Sequence, residues 1–173
     1  SNRTNEVALE RFCTHFNFEP VVFDAADRGG RPIYHTNVLM CIGTDVCMIG
    51  LSAISNPERR AEIAGRFADT GRVLVDLTHA QINAFAGNAI ELDSRAGRTL
   101  ALSSRALRAL TPDQLALLVE HVRLLPLDVP TIELAGGSVR CMLAGIHLAP
   151  RSTVTHYPDN LPRHASEAAS IGI

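Results

Sequence analysis

The chain has 173 residues, of which 46% are hydrophobic and 20% charged, a composition that supplies one sizeable core and is typical of a globular domain. Its formal net charge is -2, and its basic residues are all arginines scattered along the sequence, which argues against a nucleic-acid-binding stripe or a membrane-binding patch. No apolar run approaches the roughly 20 residues that a membrane-spanning helix needs. We therefore expect a cytoplasmic protein with neither nucleic acid nor membrane as a partner.

Three helices are predicted from capping residues and apolar periodicity. The first covers about residues 6–16. The second covers about residues 56–71, opens with an Asn-Pro pair and ends at a glycine. The third begins at Thr111, where the sequence Thr-Pro-Asp-Gln combines a capping box with a proline at the first helical position.

Short apolar runs of strand length, each bounded by turn residues, lie between and after these helices. Together with the helices they indicate an α/β fold. The predicted strands cover residues 20–23, 38–42, 46–51, 73–77, 88–92, 99–103, 131–134 and 141–148.

These elements repeat along the chain, each unit running helix, strand, loop, strand, hairpin and strand. The residues that open the middle strand of successive units are His35, Asn88 and Cys141, which lie 53 residues apart from one unit to the next. If the units pack around a common axis, these positions converge there and make a concave polar site. The alternative is a linear stack, in which equivalent positions form a row and His35 stays far from Cys141.

The four cysteines are too few for the disulfide framework of a small secreted protein. They form no C-x-x-C pair, and no side chains have the spacing of metal ligands, so we expect neither a metal nor a cofactor. Cys13 lies in a helix-like stretch, and Cys41 and Cys47 lie in apolar strand-like ones. These three cysteines are expected to be small buried side chains.

Cys141 and His35 are residue types suited to nucleophilic catalysis. A cysteine attacks as the thiolate, and Cys141 follows Arg140 and a Gly136-Gly137 turn that would let the backbone approach a ligand closely. A histidine at the start of a strand is a candidate general acid and base near neutral pH. The alternative for both is a structural role, with Cys141 as a small buried side chain and His35 as a surface or hydrogen-bonded core residue.

Four short motifs carry a family resemblance. They are S-x-R-T-N at residues 1–5, YHTN at 34–37, FAGN at 85–88 and GGSVRCM at 136–142. In combination they resemble the guanidino-group-modifying superfamily of arginine deiminases, dimethylarginine hydrolases and amidinotransferases, and most closely its citrulline-utilisation hydrolase branch. The resemblance implies an α/β propeller (pentein) of ββαβ repeats with its active site on the pseudo-fivefold axis, here an incomplete ring of about three units.

The resemblance also implies roles for four residues. Cys141 would be the nucleophile, and His35 would protonate the leaving amine and then activate water. Arg3 would pair with the α-carboxylate of an amino-acid substrate, a planar bidentate contact that suits arginine. Asn37 stands where arginine deiminases carry a substrate-binding aspartate, which favours a neutral ureido group over a cationic guanidinium. Asn88 receives no catalytic role from the resemblance, and a turn or strand-capping role is expected for it.

The chain departs from the family in length. Members are longer at the N-terminus, where a Glu-Gly motif supplies a substrate-binding carboxylate, and no Glu-Gly pair occurs here. We therefore expect residues 1–151 to be the C-terminal part of a single propeller domain and residues 152–173 to be an irregular or partly disordered tail. The expected protein partner is the N-terminal half of the same enzyme or a second copy in a homo-oligomer.

Three functions remain open from the sequence. The first is a cysteine-nucleophile hydrolase that acts on the guanidino or ureido group of an arginine- or citrulline-like amino acid and releases ammonia or an amine. The second is an amidinotransferase, which shares the nucleophile but passes the amidine group to another amine. The third is a non-catalytic remnant or interaction module that lacks the substrate-binding carboxylates.

Overall fold

The computed structural model describes residues 5–146. Arg3 and the predicted tail at residues 152–173 lie outside this range. The α-helices are α1 (Glu6–Phe16), α2 (Thr36–Leu39), α3 (Pro57–Asp69), α4 (His79–Asn83), α5 (Ser104–Ala109), α6 (Pro112–Val119) and α7 (Pro130–Leu134). The strands are β1 (Met40–Ile42), β2 (Val46–Ile49), β3 (Val73–Asp76), β4 (Ile90–Ser94), β5 (Gly97–Ser103) and β6 (Arg123–Leu127). Two 3-10 helices cover Leu51–Ala53 and Val139–Met142.

The strands form two three-stranded sheets of the same design. In the first sheet β1 pairs antiparallel with β2, and β2 pairs parallel with β3 after the crossover helix α3. In the second sheet β4 pairs antiparallel with β5, and β5 pairs parallel with β6 after helices α5 and α6. Each sheet with its helix or helices is therefore a ββαβ unit, as expected for an α/β propeller.

The three helices predicted from capping signals are confirmed. The Asn56 side chain accepts a hydrogen bond from the Arg59 amide at the start of α3. At the start of α6, the Thr111 hydroxyl accepts from the Gln114 amide while the Gln114 side chain accepts from the Thr111 amide. These reciprocal bonds satisfy backbone donors that the first turn of a helix leaves unpaired, which explains why the sequence located these helices well.

Some of the predicted strands are wrong. Residues 131–134 are helical and belong to α7, because Pro130 at the first helical position has a backbone angle that suits a helix start. The segment that begins at Cys141 continues a 3-10 helix as far as Met142 instead of forming a strand. Residues 20–23 form no strand either. The sequence prediction also missed β6, whose internal proline is unusual in a strand and is accommodated at the sheet edge.

The core lies along the central strands of the two sheets. Cys47, Met48 and Ile49 on β2 and Leu100 and Leu102 on β5 are fully buried. Central strands with both faces covered bury nearly continuous apolar runs, which accounts for the VCMI and LALS segments of the sequence.

The two units are joined by polar contacts at their adjacent strands. The Glu91 carboxylate on β4 accepts hydrogen bonds from the Thr44 amide at 3.1 Å and from the Thr44 hydroxyl, in the loop between β1 and β2. Arg98 on β5 pairs with Asp45 in the same loop, and this hydrogen bond lowers the pKa of the Asp45 carboxyl. The first and second units therefore sit side by side with their first strands adjacent.

Candidate active site

The candidate site forms where three backbone turns meet. Helix α2 directly precedes β1, and a turn over residues 85–88 closely precedes β4. The 3-10 helix Val139–Met142 stands one repeat further along the chain. Asn37 on the first segment, Asn88 on the second and Cys141 on the third make hydrogen-bonding contacts with one another.

Asn88 is the centre of this arrangement. Its side chain is completely buried, and its amide nitrogen donates to the Asn37 carbonyl at 2.7 Å and to the Cys141 sulfur at 3.2 Å. Its amide oxygen accepts from the Ser138 backbone N–H at 3.1 Å, and its backbone carbonyl accepts from the Arg140 N–H at 3.1 Å. A single side chain and its own carbonyl therefore connect all three segments.

Cys141 is exposed although two amides point at its sulfur. Besides Asn88, the Asn37 side-chain amide lies 3.6 Å from the sulfur as a second donor. The other three cysteines are buried and free. Burial raises the pKa of both Cys41 and Cys47 to about 12, which makes those thiols inert. Of the four cysteines, Cys141 alone combines hydrogen-bond donors with access for a substrate.

The contact between Asn37 and Cys141 decides between the two arrangements of the repeat. The two residues are separated by 104 positions and belong to the first and the last segments. A linear stack would keep those segments apart, because each unit would touch only its neighbours. The units instead converge at one point, as packing around a common axis predicts.

Two glycines make this close approach possible. A Cβ atom at Gly87 would lie 2.5 Å from the Val38 carbonyl oxygen, so only glycine lets the 85–88 turn pack against the backbone of α2. A Cβ atom at Gly137 would lie 3.1 Å from the Cys141 Cβ and 3.3 Å from its sulfur. The sequence predicts Gly137 to be part of a turn that approaches a ligand, whereas in the structure its missing side chain leaves room for the thiol.

The segment that carries Cys141 is also held from its outer side. The Ser138 hydroxyl donates to the Glu133 carboxylate at 3.0 Å, and the Cys141 N–H donates to the Ser138 carbonyl at 3.0 Å. The Glu133 side chain is only 6% exposed and lies 3.9 Å from the Arg105 guanidinium. Arg105 in turn lies over the Phe85 ring at 5.4 Å, on the turn that carries Asn88. The backbone on both sides of the site is thereby fixed.

The prediction that His35 opens a strand is wrong: the strand begins only at Met40, and His35 is exposed at the N-cap of helix α2. It stands two residues ahead of Asn37, and its ring lies 4.7 Å from the Tyr34 ring. With Glu6, Asp24 and other residues it lines a cleft of about 340 Å³. The structure thus places His35 at the end of the helix that contacts Cys141, and its catalytic role stays a prediction.

A cavity of about 360 Å³ with both polar and apolar lining adjoins the site. Asn37, Glu91 and Arg140 line it together with the first strands of both units. Because Asn37 faces both this cavity and the Cys141 sulfur, the cavity is positioned to hold part of a small polar ligand.

Within residues 5–146, no three His, Cys, Asp or Glu side chains are grouped as metal ligands. Over the same residues, no helix is long and apolar enough to cross a membrane.

The motifs indicate Asn37 and Cys141 but no catalytic role for Asn88. The sequence signal for Asn88 is the repeat, in which it stands midway between His35 and Cys141. That spacing predicts that the three positions converge, but it does not predict which groups an amide at that point contacts. Arg3, the predicted carboxylate-binding residue, lies outside the described range and its role stays a prediction.

Solved structures with the same fold include ArgZ, an arginine dihydrolase from the ornithine-ammonia cycle in cyanobacteria. The apo structure matches with a TM-score of 0.62 at 13% identity, over 80% of this chain and 20% of that one. The product-bound N-terminal domain of ArgZ matches at 0.61 and 15% identity, over 80% of this chain and 46% of that one. A variant of the domain covalently bound to a reaction intermediate also matches at 0.61. The chain thus spans less than half the length of these structures.

The family of the chain is shown by its sequence, whereas the solved structures show the fold alone. No individual curated protein matches the chain. The family model described as eukaryotic N,N dimethylarginine dimethylhydrolase matches residues 1–148. This match and the shared fold confirm the guanidino-group-modifying superfamily, while the nearer likeness to the citrulline-utilisation branch stays a prediction. The chain belongs to the N,N dimethylarginine dimethylhydrolase family and has the α/β propeller (pentein) fold of the superfamily.

Proposed function

We propose that this chain carries the nucleophile of a hydrolase that acts on the guanidino or ureido group of an arginine- or citrulline-like amino acid. The observation that supports this function most directly is the exposed Cys141 thiol with the amides of Asn88 and Asn37 directed at its sulfur. Hydrogen-bond donors around an accessible thiol favour the thiolate, which is the nucleophilic form of cysteine. The family match favours a substrate with a guanidino group, and the neighbouring cavity offers Asn37, Glu91 and Arg140 as polar contacts for a small molecule.

The proposed reaction has two stages. The Cys141 sulfur attacks the central carbon of the guanidino or ureido group, and a carbon–nitrogen bond breaks to release ammonia or an amine. A proton from His35 goes to the leaving nitrogen, so the substrate carbon remains bound to sulfur as a covalent intermediate. Water then gives up a proton to His35 and adds to that carbon, and the carbon–sulfur bond breaks to regenerate the thiolate of Cys141 and the protonated His35.

Substrate recognition is assigned to residues around the nucleophile. Asn37 lines the cavity beside the site and can hydrogen-bond the reacting group while also contacting the Cys141 sulfur. Its side chain is a neutral amide, so it accommodates an uncharged ureido group. A carboxylate at that position would instead favour a cationic guanidinium group. Arg3 is proposed to bind the substrate α-carboxylate. The family match favours dimethylarginine and the ArgZ structures favour arginine, and citrulline is the corresponding ureido substrate to test beside them.

The chain spans less than half the length of the ArgZ domain, and the proposed activity therefore involves residues from another part of the enzyme. Because the chain covers 46% of the ArgZ N-terminal domain, the substrate-binding carboxylates of the family are proposed to come from a partner. That partner is the N-terminal half of the same enzyme. A homo-oligomer is proposed as a separate association, because a second copy of the chain carries no Glu-Gly pair either. We propose no metal or other cofactor for the reaction.

Loss of turnover on substitution of Cys141 tests the proposal. The protein is incubated with arginine, citrulline and dimethylarginine, and release of ammonia or dimethylamine is measured. We expect Cys141→Ser to lower kcat by roughly 10³-fold or more, because a neutral hydroxyl is a far weaker nucleophile than a thiolate. Cys13→Ser, at a buried position on α1, is the matched control and should keep its activity. Turnover by Cys141→Ser at the wild-type rate would contradict the proposal, and no turnover by the wild-type protein would favour a non-catalytic remnant.

A further inference from the structure

Asn88 has every polar atom of its side chain in use. The amide nitrogen has two hydrogens, one directed at the Asn37 carbonyl and one at the Cys141 sulfur. The amide oxygen accepts from the Ser138 N–H. Because the side chain is completely buried, each of these bonds is made without competition from water.

This network fixes which end of the amide faces the sulfur. The Ser138 N–H can only donate and the Asn37 carbonyl can only accept, so the Asn88 oxygen must face the first and its nitrogen the second. With the amide held this way, the nitrogen's remaining hydrogen points at Cys141. The donor is therefore in place before any substrate arrives and needs no rearrangement.

A hydrogen bond from an amide N–H discriminates between the two forms of a thiol. It is stronger when the acceptor carries a full negative charge than when the acceptor is neutral. The Arg140 guanidinium, the nearest cation in sequence, donates to the Leu143 carbonyl at 3.1 Å instead. Asn37 is the more distant amide, 3.6 Å from the sulfur against 3.2 Å for Asn88.

We infer that Asn88 is a catalytic residue whose buried amide stabilises the thiolate of Cys141 and fixes the position of its sulfur. The catalytic meaning of this inference rests on the proposed function. The effect on the thiol does not, because it belongs to the free protein and can be measured without a substrate.

The rate of alkylation of Cys141 by iodoacetamide at pH 7.5 tests the inference. Removal of the Asn88 side chain makes the sulfur more accessible, so a purely structural residue would leave the rate unchanged or raise it when replaced. Loss of a thiolate-stabilising donor lowers the rate. We expect Asn88→Ala to slow alkylation about tenfold and Asn37→Ala to slow it less. Asn83→Ala, at an exposed position on α4, is the matched control and should alkylate at the wild-type rate.

Cys41 and Cys47 report whether each variant is folded. Both thiols are buried, so peptide mass spectrometry should find them unmodified while Cys141 reacts. If Asn88→Ala exposes them, Asn88→Asp is used instead, since it retains an acceptor for the Ser138 N–H and a similar shape. A wild-type or faster rate in a folded Asn88 variant would overturn the inference, and so would unfolding of both variants, which would make Asn88 a structural residue.

Turnover separates this inference from the proposed function. If the wild-type protein turns over a substrate, Asn88→Ala should lower kcat and kcat/KM by similar factors, since the donor acts on the reacting sulfur and not on substrate binding. If no substrate is turned over but alkylation of Cys141 slows in the variant, the proposed function fails and the role of Asn88 stands. If turnover is found but alkylation does not slow in the variant, the proposed function stands and the inference about Asn88 fails.

Discussion

At the scale of single residues, the site depends on groups that are small or uncharged. The Cys141 thiol is surrounded by amides, and two glycines provide the space in which those amides approach it. The segments are held together mainly by hydrogen bonds in which one partner is a backbone group, such as those between the Asn88 side chain and the backbone of Asn37 and Ser138. A small increase in volume at Gly137, whose neighbour is the Cys141 side chain, should therefore affect the chemistry, whereas one at Gly87 should also destabilise the packing of the backbone.

Gly137→Ala tests this dependence on space. The added methyl would lie 3.1 Å from the Cys141 Cβ, closer than most such contacts, so the thiol must move by a few tenths of an ångström. We expect kcat to fall roughly tenfold, since misplacement of a reacting atom by 1 Å can cost about 10²-fold. Turnover and Cys141 alkylation are measured together.

Gly65→Ala is the matched control for that substitution. Gly65 lies in the middle of α3, and an added Cβ atom there would meet nothing within 4 Å. This variant should keep its turnover and gain about 0.5–1 kcal/mol in free energy of unfolding, because alanine favours a helix over glycine. Wild-type turnover by Gly137→Ala would show that the site has more room than the structure indicates.

At the scale of elements, the β1–β2 hairpin combines core packing with two ionisable thiols. Cys41 on β1 and Cys47 on β2 are buried, and burial raises the pKa of each from 9.0 to about 12. In the unfolded chain the same thiols ionise near their ordinary value. Above pH 9 the unfolded state therefore binds fewer protons than the folded state, and the stabilisation that the buried thiols give is lost as the pH rises towards 12.

Urea unfolding at pH 8 and pH 10.5 measures this effect. The free energy of unfolding should fall between the two pH values by on the order of 2 kcal/mol for each thiol. A Cys41→Ala, Cys47→Ala double variant should be less stable at pH 8 because it loses packing, yet it should lose less stability on going to pH 10.5. An equal loss in the wild type and the double variant would mean that other groups cause the alkaline destabilisation.

Helices and strands were predictable where the residues that cause them lie close together in the sequence. Helices α1, α3 and α6 were predicted because capping side chains and prolines act within a few residues of the chain. The run at 131–134 resembles a strand because its two apolar residues, Ile132 and Leu134, alternate with polar ones, but Pro130 at the first helical position starts a helix there.

The candidate site was partly predictable for the same reason. The motifs located Cys141, and the spacing of 53 residues indicated convergence. The role of Asn88 depends on three partners that are distant in sequence, at Asn37, Ser138 and Cys141, so no local pattern could reveal it. Likewise, only the packed structure shows that a side chain at Gly87 would strike the backbone of α2.

At the scale of the whole molecule, two ββαβ units and the segment that follows them form one wall of the site. The first and second units supply Asn37 and Asn88, and the 3-10 helix supplies Cys141, the proposed nucleophile. Large apolar side chains of the described residues remain exposed, among them Phe12, Phe16 and Phe18, and the Phe12 ring is tilted against Phe16 and stacked with Phe18. Such a surface is consistent with the predicted association with a second copy or with another part of the enzyme.

The measurement that tests the account most directly is detection of a covalent intermediate on Cys141. The protein is mixed with arginine, citrulline or dimethylarginine, quenched in acid within seconds and digested for peptide mass spectrometry. We expect the Cys141 peptide to gain the mass of the substrate minus its leaving ammonia or amine, and the Cys141→Ser protein to gain nothing. Substrate turnover accompanied by an adduct on a different residue, or undiminished turnover by Cys141→Ser, would contradict the assignment of Cys141 as the nucleophile.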